Sequence, residues 1–278
     1  MRDVPRPDYE YEVSRLVSEY TRAMYRIASE LQRLDLTDIS RANAQAALAE
    51  VVRILSELNG TSAEWVTRNL PVAATDGVAA AIFALGVADT LDEARKIAKF
   101  NRMNKAMVAA VIADTQTDLL AVTQNVERKV RAAVRQVTAE SMRANMARGV
   151  NGRRTINRDT LEGLRRKLDD SVNTGIVDAA GRRWRPEVYV DMVTRTKMML
   201  AHQEAAVNEA VAREAYYGVI SRHGATDACR NWEGRTVKLV PDAPGSYPYL
   251  GDLRGRRDIF HPNCRHIVSP TRKPPDAE

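Results

Sequence analysis

Residues 9–34 read YEYEVSRLVSEYTRAMYRIASELQRL, with apolar positions at Tyr9, Val13, Leu16, Tyr20, Met24, Ile27, Leu31 and Leu34. The steps between them alternate between three and four residues, which puts all of them on one helical face. So continuous a stripe is a core-packing face. It predicts that the chain opens with a long helix that needs helical neighbours to be stable.

Working outward, the same period persists through the first two thirds of the sequence. Asp38 to Leu58 reads as a second helix with Asn59-Gly60 as its stop. Thr61-Ser62-Ala63-Glu64 has capping-box spacing and predicts a third helix, which Pro71 would kink or break and Ala79 to Leu85 would resume before Gly86. Thr90-Leu91-Asp92-Glu93 repeats the capping signature. It leads to a nearly unbroken helical run from about Met103 to Ala147, striped by Val122, Val126, Val130, Val134 and Val137. A basic, glycine-bearing junction at Gly149-Val150-Asn151-Gly152-Arg153-Arg154 interrupts it. A helix over about Arg158 to Ser171 follows, then a small hairpin bending at Gly181, then a helix from Pro186 to about Ala215. After Tyr216 the apolar runs shrink to strand length, at Tyr217 to Ser221, Thr236 to Val240 and His266 to Ser269.

The expected fold class is therefore mainly α with a small α+β C-terminal module. Residues 1–150 form a helical N-terminal region and residues 151–278 the module, with Lys273 to Glu278 as a tail. Composition agrees. Of 278 residues 44% are hydrophobic but only 5% aromatic, so Ala, Val, Leu and Met do the packing. The 42 basic against 36 acidic residues give a net charge of +6, which suits nucleic acid or an acidic protein surface without demanding either. There is no run of about 18 consecutive apolar residues, so no membrane-spanning helix is expected. Met1 to Asp8 lacks the apolar core of a secretory signal, so synthesis in the cytoplasm is the expectation.

Chemistry concentrates near the C-terminus. Both cysteines and three of the four histidines lie between His223 and His266, as the pairs His223 with Cys229 and His261 with Cys264, with His266 as a spare. Thiolate sulfur and imidazole nitrogen are the donors that zinc selects, and a tetrahedral site takes four. Pro262-Asn263 between His261 and Cys264 would form a turn that lets both side chains face one point. His223, Cys229, His261 and Cys264 are thus the candidate metal ligands, and four protein ligands make a structural site with no open position for water. The spacings are not those of common zinc fingers, so a disulfide with hydrogen-bonded histidines stays open at this point. A catalytic reading, with Asp227, Glu233 or Asp258 as a carboxylate base beside a metal-bound water, lacks a His-Glu-x-x-His segment. No catalytic residue is assigned.

Basic clusters occur at Arg128-Lys129-Arg131-Arg135, Arg153-Arg154-Arg158, Arg165-Arg166-Lys167, Arg182-Arg183-Arg185 and Arg254-Arg256-Arg257. Such runs are commonly solvated helix faces paired with acids four residues away. Non-specific DNA contact is the alternative reading, and without interleaved aromatics a single-strand stacking groove is not expected.

Several words follow one another in the last third: Val177 to Trp184, Tyr189 to Thr196, Ser221 to Cys229, Trp232-Glu233-Gly234-Arg235, Tyr247-Pro248-Tyr249-Leu250 and His261-Pro262-Asn263-Cys264-Arg265-His266. This succession resembles the minor capsid proteins of tailed bacteriophages, related to the F-like head-morphogenesis protein of phage Mu. The resemblance implies a non-enzymatic virion protein in several copies, at the portal vertex and the capsid interior, made in the host cytoplasm. Its implied partners are the portal protein, the major capsid protein and packaged DNA, and its implied task is head assembly and DNA packaging or delivery. A virion-associated metal-dependent nuclease or hydrolase, and an accessory DNA-binding protein, are the alternatives. The resemblance supplies no catalytic set, and the metal role of the Cys and His residues comes from ligand chemistry alone.

Overall fold

The structure, a computed structural model, describes residues 2, 4–37, 39–151, 158–173, 176–177, 181–256 and 258–274. The side chains of 144–151 and 158 lie outside that description, as do Asp38, Arg153, Arg154, Asp178 to Ala180, Arg257 and the end of the tail at 275–278.

Helices dominate. They are α1 (Glu10–Gln32), α2 (Arg41–Ala84), α3 (Leu91–Ile97), α4 (Arg102–Asn151), α5 (Arg158–Asn173), α6 (Pro186–Ala212) and the short α7 (Leu250–Leu253). The strands are β1 (Ile176–Val177), β2 (Arg183–Trp184), β3 (Tyr217–Ile220), β4 (Thr236–Lys238) and β5 (Val268–Thr271). The mainly α class with a small α+β part at the C-terminal end is what the structure shows.

Two compact units divide the residues. One comprises Met1–Glu12, Val66–Thr115 and Met192–Glu278; the other comprises Val13–Trp65 and Gln116–Asp191. Both draw on residues either side of position 150, so the division of the sequence at that point is one of composition.

The second unit is helical. The stripe on α1 is buried at Val13, Leu16, Tyr20, Met24, Ile27 and Leu31, and so is the stripe Val122, Val126, Val130, Val134 and Val137 on α4. By length and composition α4 is apolar enough over Arg102–Arg143 to cross a bilayer. That valine stripe, however, is packed inside the protein. Polar ties connect the helices: the Ser62 hydroxyl donates to the Tyr20 hydroxyl at 3.1 Å, Thr123 to Asn59 at 2.7 Å and Ser141 to the Leu36 carbonyl at 2.8 Å. Arg165 does more, donating to the carbonyls of Leu31 at 3.1 Å and Leu34 at 2.6 Å. The Leu31 carbonyl is in the last turn of α1 and that of Leu34 just past its end, where helix geometry leaves acceptors short of donors. Hydrogen bonds from a charged group are worth about 1.5–3 kcal/mol. Arg165→Ala should cost about that much, seen as a lower urea midpoint at unchanged slope, and Arg165→Lys should recover only part because an ammonium lacks the forked geometry.

One expectation fails plainly. Asn59-Gly60 does not stop a helix, Thr61 to Glu64 does not start one, and Pro71 does not break one, because α2 runs through all three. The hydroxyls of Thr61 and Ser62 bond back to the carbonyls of Glu57 and Leu58, at 3.2 and 2.8 Å, instead of capping. Leu55, Leu58, Val66, Leu70, Ala73 and Ala74 keep burying the helix across these positions. Likewise α4 continues through Gly149, Val150 and Asn151, the first half of the expected junction. Other signals hold. Thr90 and Glu93 form the capping box of α3, and Gly86, at φ 70°, closes α2 with the Val87 N–H on Ile82 and the Gly86 N–H on Phe83. Gly181, at φ 77°, bends between β1 and β2, which pair antiparallel.

In the first unit the antiparallel sheet has the order β4-β3-β5, with Val219 opposite Thr236 and Ile220 opposite Val268. Beneath it Ala210, Ile220, Trp232, Val237, Leu239, Leu250, Leu253, Ile259 and Val268 form one apolar cluster that also takes in Cys229. Trp232 is therefore core, with its indole N–H donated to Asp258 at 3.0 Å and the guanidinium groups of Arg235 and Arg256 over its ring. Trp184, in the other unit, is half-buried and meets Tyr189 edge-on.

Candidate metal centre

Each donor is placed by a local device. After β3 the chain enters a single 3-10 turn, Ala228–Asn231, whose cap is Asp227: its carboxylate accepts the Cys229 N–H at 3.0 Å. That fixes Cys229 at the edge of the apolar cluster. His261 to Cys264 is a tight turn, closed by the Cys264 N–H on the His261 carbonyl at 2.9 Å. Pro262 presets the second position and Asn263, at φ 65°, takes the left-handed third position. Helix α6 holds this turn from behind, since the Thr196 hydroxyl accepts the Asn263 N–H at 3.3 Å and the Gln203 amide donates to the His266 carbonyl. Arg195 and Arg265 both pair with Glu10, so Arg195 grips a carboxylate.

The result is convergence. Cys229 Sγ lies 3.2 Å from His261 Nε2 and 3.9 Å from Cys264 Sγ, and Cys264 Sγ lies 3.4 Å from His266 Nδ1. Cys229, His261 and Cys264 have their ligand atoms within 4.8 Å of one another, and His223, Glu233 and His266 form a second such group. His223 thus sits with His266, their ring centroids 3.9 Å apart, while the other three candidate ligands share one point. The two cysteines are free thiols. An open cleft lined by His223, Asp227, Cys229, His261, Cys264 and His266 gives an ion access.

The imidazoles are turned for ligation. His261 Nδ1 is 2.8 Å from the Pro262 carbonyl, which can only accept, so Nδ1 carries the proton and Nε2 faces sulfur. Asp227 Oδ2 lies 3.1 Å from the same Nε2, so a lone pair, a sulfur and a carboxylate oxygen meet there. Only a cation, a proton or a metal ion, reconciles those three. His266 repeats the pattern, with Nε2 at 3.2 Å from Glu233 Oε1 and Nδ1 facing Cys264.

Electrostatics match. Burial first, then the neighbouring Cys264, pushes the Cys229 thiol up to about 12. Cys229 therefore stays a thiol at neutral pH unless a cation is added. The N–H groups of His223 and Ala225, each 3.0 Å from Glu233 Oε1, followed by His266, hold the Glu233 carboxyl down at about 2. The Cys229 N–H lowers Asp227 in the same way. Burial, and then His223, lowers His266, which keeps it a neutral donor. Two groups of potential ligands stand side by side here, Cys229 with His261 and Cys264, and His223 with Glu233 and His266. Glu233 and Asp227 could not be ranked from sequence, although an Asp two residues before Cys229 is the signal of a turn cap.

Four of the five basic clusters have at least one member in an ion pair, and the side chains of Arg153, Arg154 and Arg158 lie outside the described residues. Arg131 pairs with Glu127 at 2.5 Å, Lys167 with Glu140 at 2.7 Å, Arg185 with Glu187 at 2.6 Å and Arg256 with Asp258 at 2.8 Å.

A family model described as phage minor capsid protein 2 matches residues 36–271. The chain belongs to this family. The match takes in α2 through β5, so a phage minor capsid protein carries both the helical residues and the Cys/His centre. This makes it a structural protein of the virion. No curated protein and no solved structure matches the chain.

Proposed function

We propose that this minor capsid protein serves at the portal vertex on the inner side of the head of a tailed phage. There it aids head assembly and DNA packaging or delivery, in several copies, without catalysing a reaction. The observation that carries the reading is the family match over residues 36–271. The helices supply contact groups for the portal and major capsid proteins: Tyr25 on α1, Val52 on α2, and Met103 and Leu120 on α4 are large apolar side chains left exposed. Packaged DNA is the minor partner, since Arg131, Lys167 and Arg185 are each engaged by an acid of the same unit.

Within this reading the Cys/His centre is a structural zinc site that closes the C-terminal module, held by Cys229, His261, Cys264 and an imidazole from His223 or His266. Two thiols and an imidazole suit a borderline-soft ion, and a fourth protein donor closes the site to water.

Two measurements test it. Heads purified from cells making the phage should contain the chain, and portal-less shells should lack it; equal amounts in both would remove the portal from the reading. Elemental analysis of the reduced, purified chain should return zinc, lost on Cys229→Ser. Phosphodiester cleavage that disappears on His261→Ala would replace the structural role with a catalytic one.

A further inference from the structure

Which imidazole completes the centre is readable from the distances. A tetrahedral ion with bonds of about 2.3 Å to sulfur and about 2.05 Å to nitrogen sets two sulfurs about 3.8 Å apart, and sulfur and nitrogen about 3.5 Å apart. The protein holds Cys229 Sγ and Cys264 Sγ at 3.9 Å, Cys229 Sγ and His261 Nε2 at 3.2 Å, and Cys264 Sγ and His266 Nδ1 at 3.4 Å. All three match edges of such a tetrahedron within a few tenths of an ångström: Cys229, His261 and Cys264 lie mutually within 4.8 Å, and His266 Nδ1 joins them through the edge to Cys264.

We infer that the fourth ligand is His266 Nδ1, with Glu233 as the residue that orients it, and that His223 is a covering group outside the coordination sphere. The inference rests on the zinc reading and names its geometry. His266 is buried, and its strand neighbours are fixed by the β3–β5 register. Its Nε2–H is donated to Glu233, the carboxylate–histidine arrangement that sets the tautomer of a ligating imidazole. Glu233 is in turn held by the N–H groups of His223 and Ala225, so its Oε1 already accepts three donors and is poorly disposed to take an ion itself. That argues against the His223, Glu233 and His266 group as a separate metal site. His223 is exposed and meets this assembly through its main-chain N–H and its ring, tilted by 38° against that of His266. Asp227 has one oxygen on the Cys229 N–H and the other beside His261 Nε2, where it takes the proton's side of the centre when no ion is bound.

Cobalt(II) titration of the full, reduced, metal-free chain tests this, because four-coordinate cobalt absorbs intensely in the visible and each thiolate adds sulfur-to-metal charge transfer. The native chain should show both bands. His223→Ala should keep them with affinity within about twofold. Glu233→Gln should keep their shape while affinity falls about 10–100-fold, the usual effect of losing an orienting carboxylate. His266→Ala should abolish the four-coordinate band. Because that variant also removes a buried ring, His266→Cys is the deciding arm: it should restore the band with charge transfer scaled to three thiolates rather than two. A native chain that binds neither cobalt nor zinc would end the zinc reading itself. A native chain that binds, with the band lost in His223→Ala or Asp227→Asn and charge transfer unchanged in His266→Cys, would leave zinc standing and overturn the assignment of His266.

Discussion

Gly77→Ala is expected to destabilise the protein by about 3 kcal/mol or more, although alanine is the better helix former by about 1 kcal/mol. Gly77 lies in α2, and a Cβ built there would stand 2.0 Å from the His202 carbonyl oxygen, 2.8 Å from its carbon and 3.0 Å from its Cα. Every one of those atoms is backbone of α6, so no side chain can rotate to make room. The helices must part instead, and the residues either side of the contact have no slack: Ala73, Ala74, Val78 and Ala81 on α2, and Met198, Ala201 and Ala205 on α6, are all fully buried. Interiors at crystal-like density do not absorb such a shift cheaply. The drop in Tm should be on the order of 10 °C. Gly60→Ala is the control. That glycine is also inside α2, but a Cβ there meets nothing within 4 Å. Alanine should therefore stabilise by up to about 1 kcal/mol. A Gly77→Ala protein as stable as the native one would mean that α2 and α6 do not approach as described.

The contrast between those glycines also explains what the sequence disclosed. Periodicity was legible wherever one face is buried throughout: the stripes from Tyr9 to Leu34 and from Val122 to Val137 are core in the structure. Local punctuation was legible only where nothing opposed it, as at Thr90 and Gly86. Gly60 and Pro71 are the same kinds of signal, and both were overridden. An interior glycine costs about 1 kcal/mol and a proline about 3 kcal/mol, whereas the buried face of α2 from Leu55 to Ala74 contributes about 1.5–3 kcal/mol for each large apolar side chain. Propensity loses that comparison, and sequence alone does not say which glycine will face a neighbouring backbone.

The candidate metal centre divides the same way. Turn chemistry made the approach of His261 and Cys264 legible, because Pro262-Asn263 specifies the bend. Which histidine adjoins the sulfurs was not, because strand pairing decides it. Ile220 opposite Val268 brings the residues just after β3 beside those just before β5, and the Ser221 N–H meets the Ile267 carbonyl at 2.9 Å. His223 and His266 are thereby neighbours. The chain then carries His266 inward and His223 outward, a consequence of register that residue spacing does not encode.

Acid should weaken the first unit well before its carboxylates titrate, through His202. This imidazole is buried, with the Tyr9 hydroxyl 3.0 Å from Nδ1, and burial lowers its pKa from 6.5 to about 4. The folded state therefore binds fewer protons than the unfolded state between those values. For a base lowered in this way, the stability is fully present above pH 6.5 and is lost as pH falls towards 4. At about 1.4 kcal/mol per pH unit, the loss is on the order of 3 kcal/mol by pH 4. His266, lowered in the same direction, adds to the slope, while Glu233, held at about 2, contributes only below the ordinary carboxylate range. His202→Gln separates these contributions, because glutamine can still accept from Tyr9 but does not titrate. Urea unfolding at pH 7 and pH 4.5 should show a smaller acid loss for His202→Gln than for the native chain, with the difference carried by the midpoint and not by the slope. Equal losses in the two proteins would mean that His202 takes up its proton in the folded state at an ordinary pH. A buried imidazole facing Tyr9 can do that only if water reaches it, so hydrogen exchange at the α6 amides around His202 would then be fast as well.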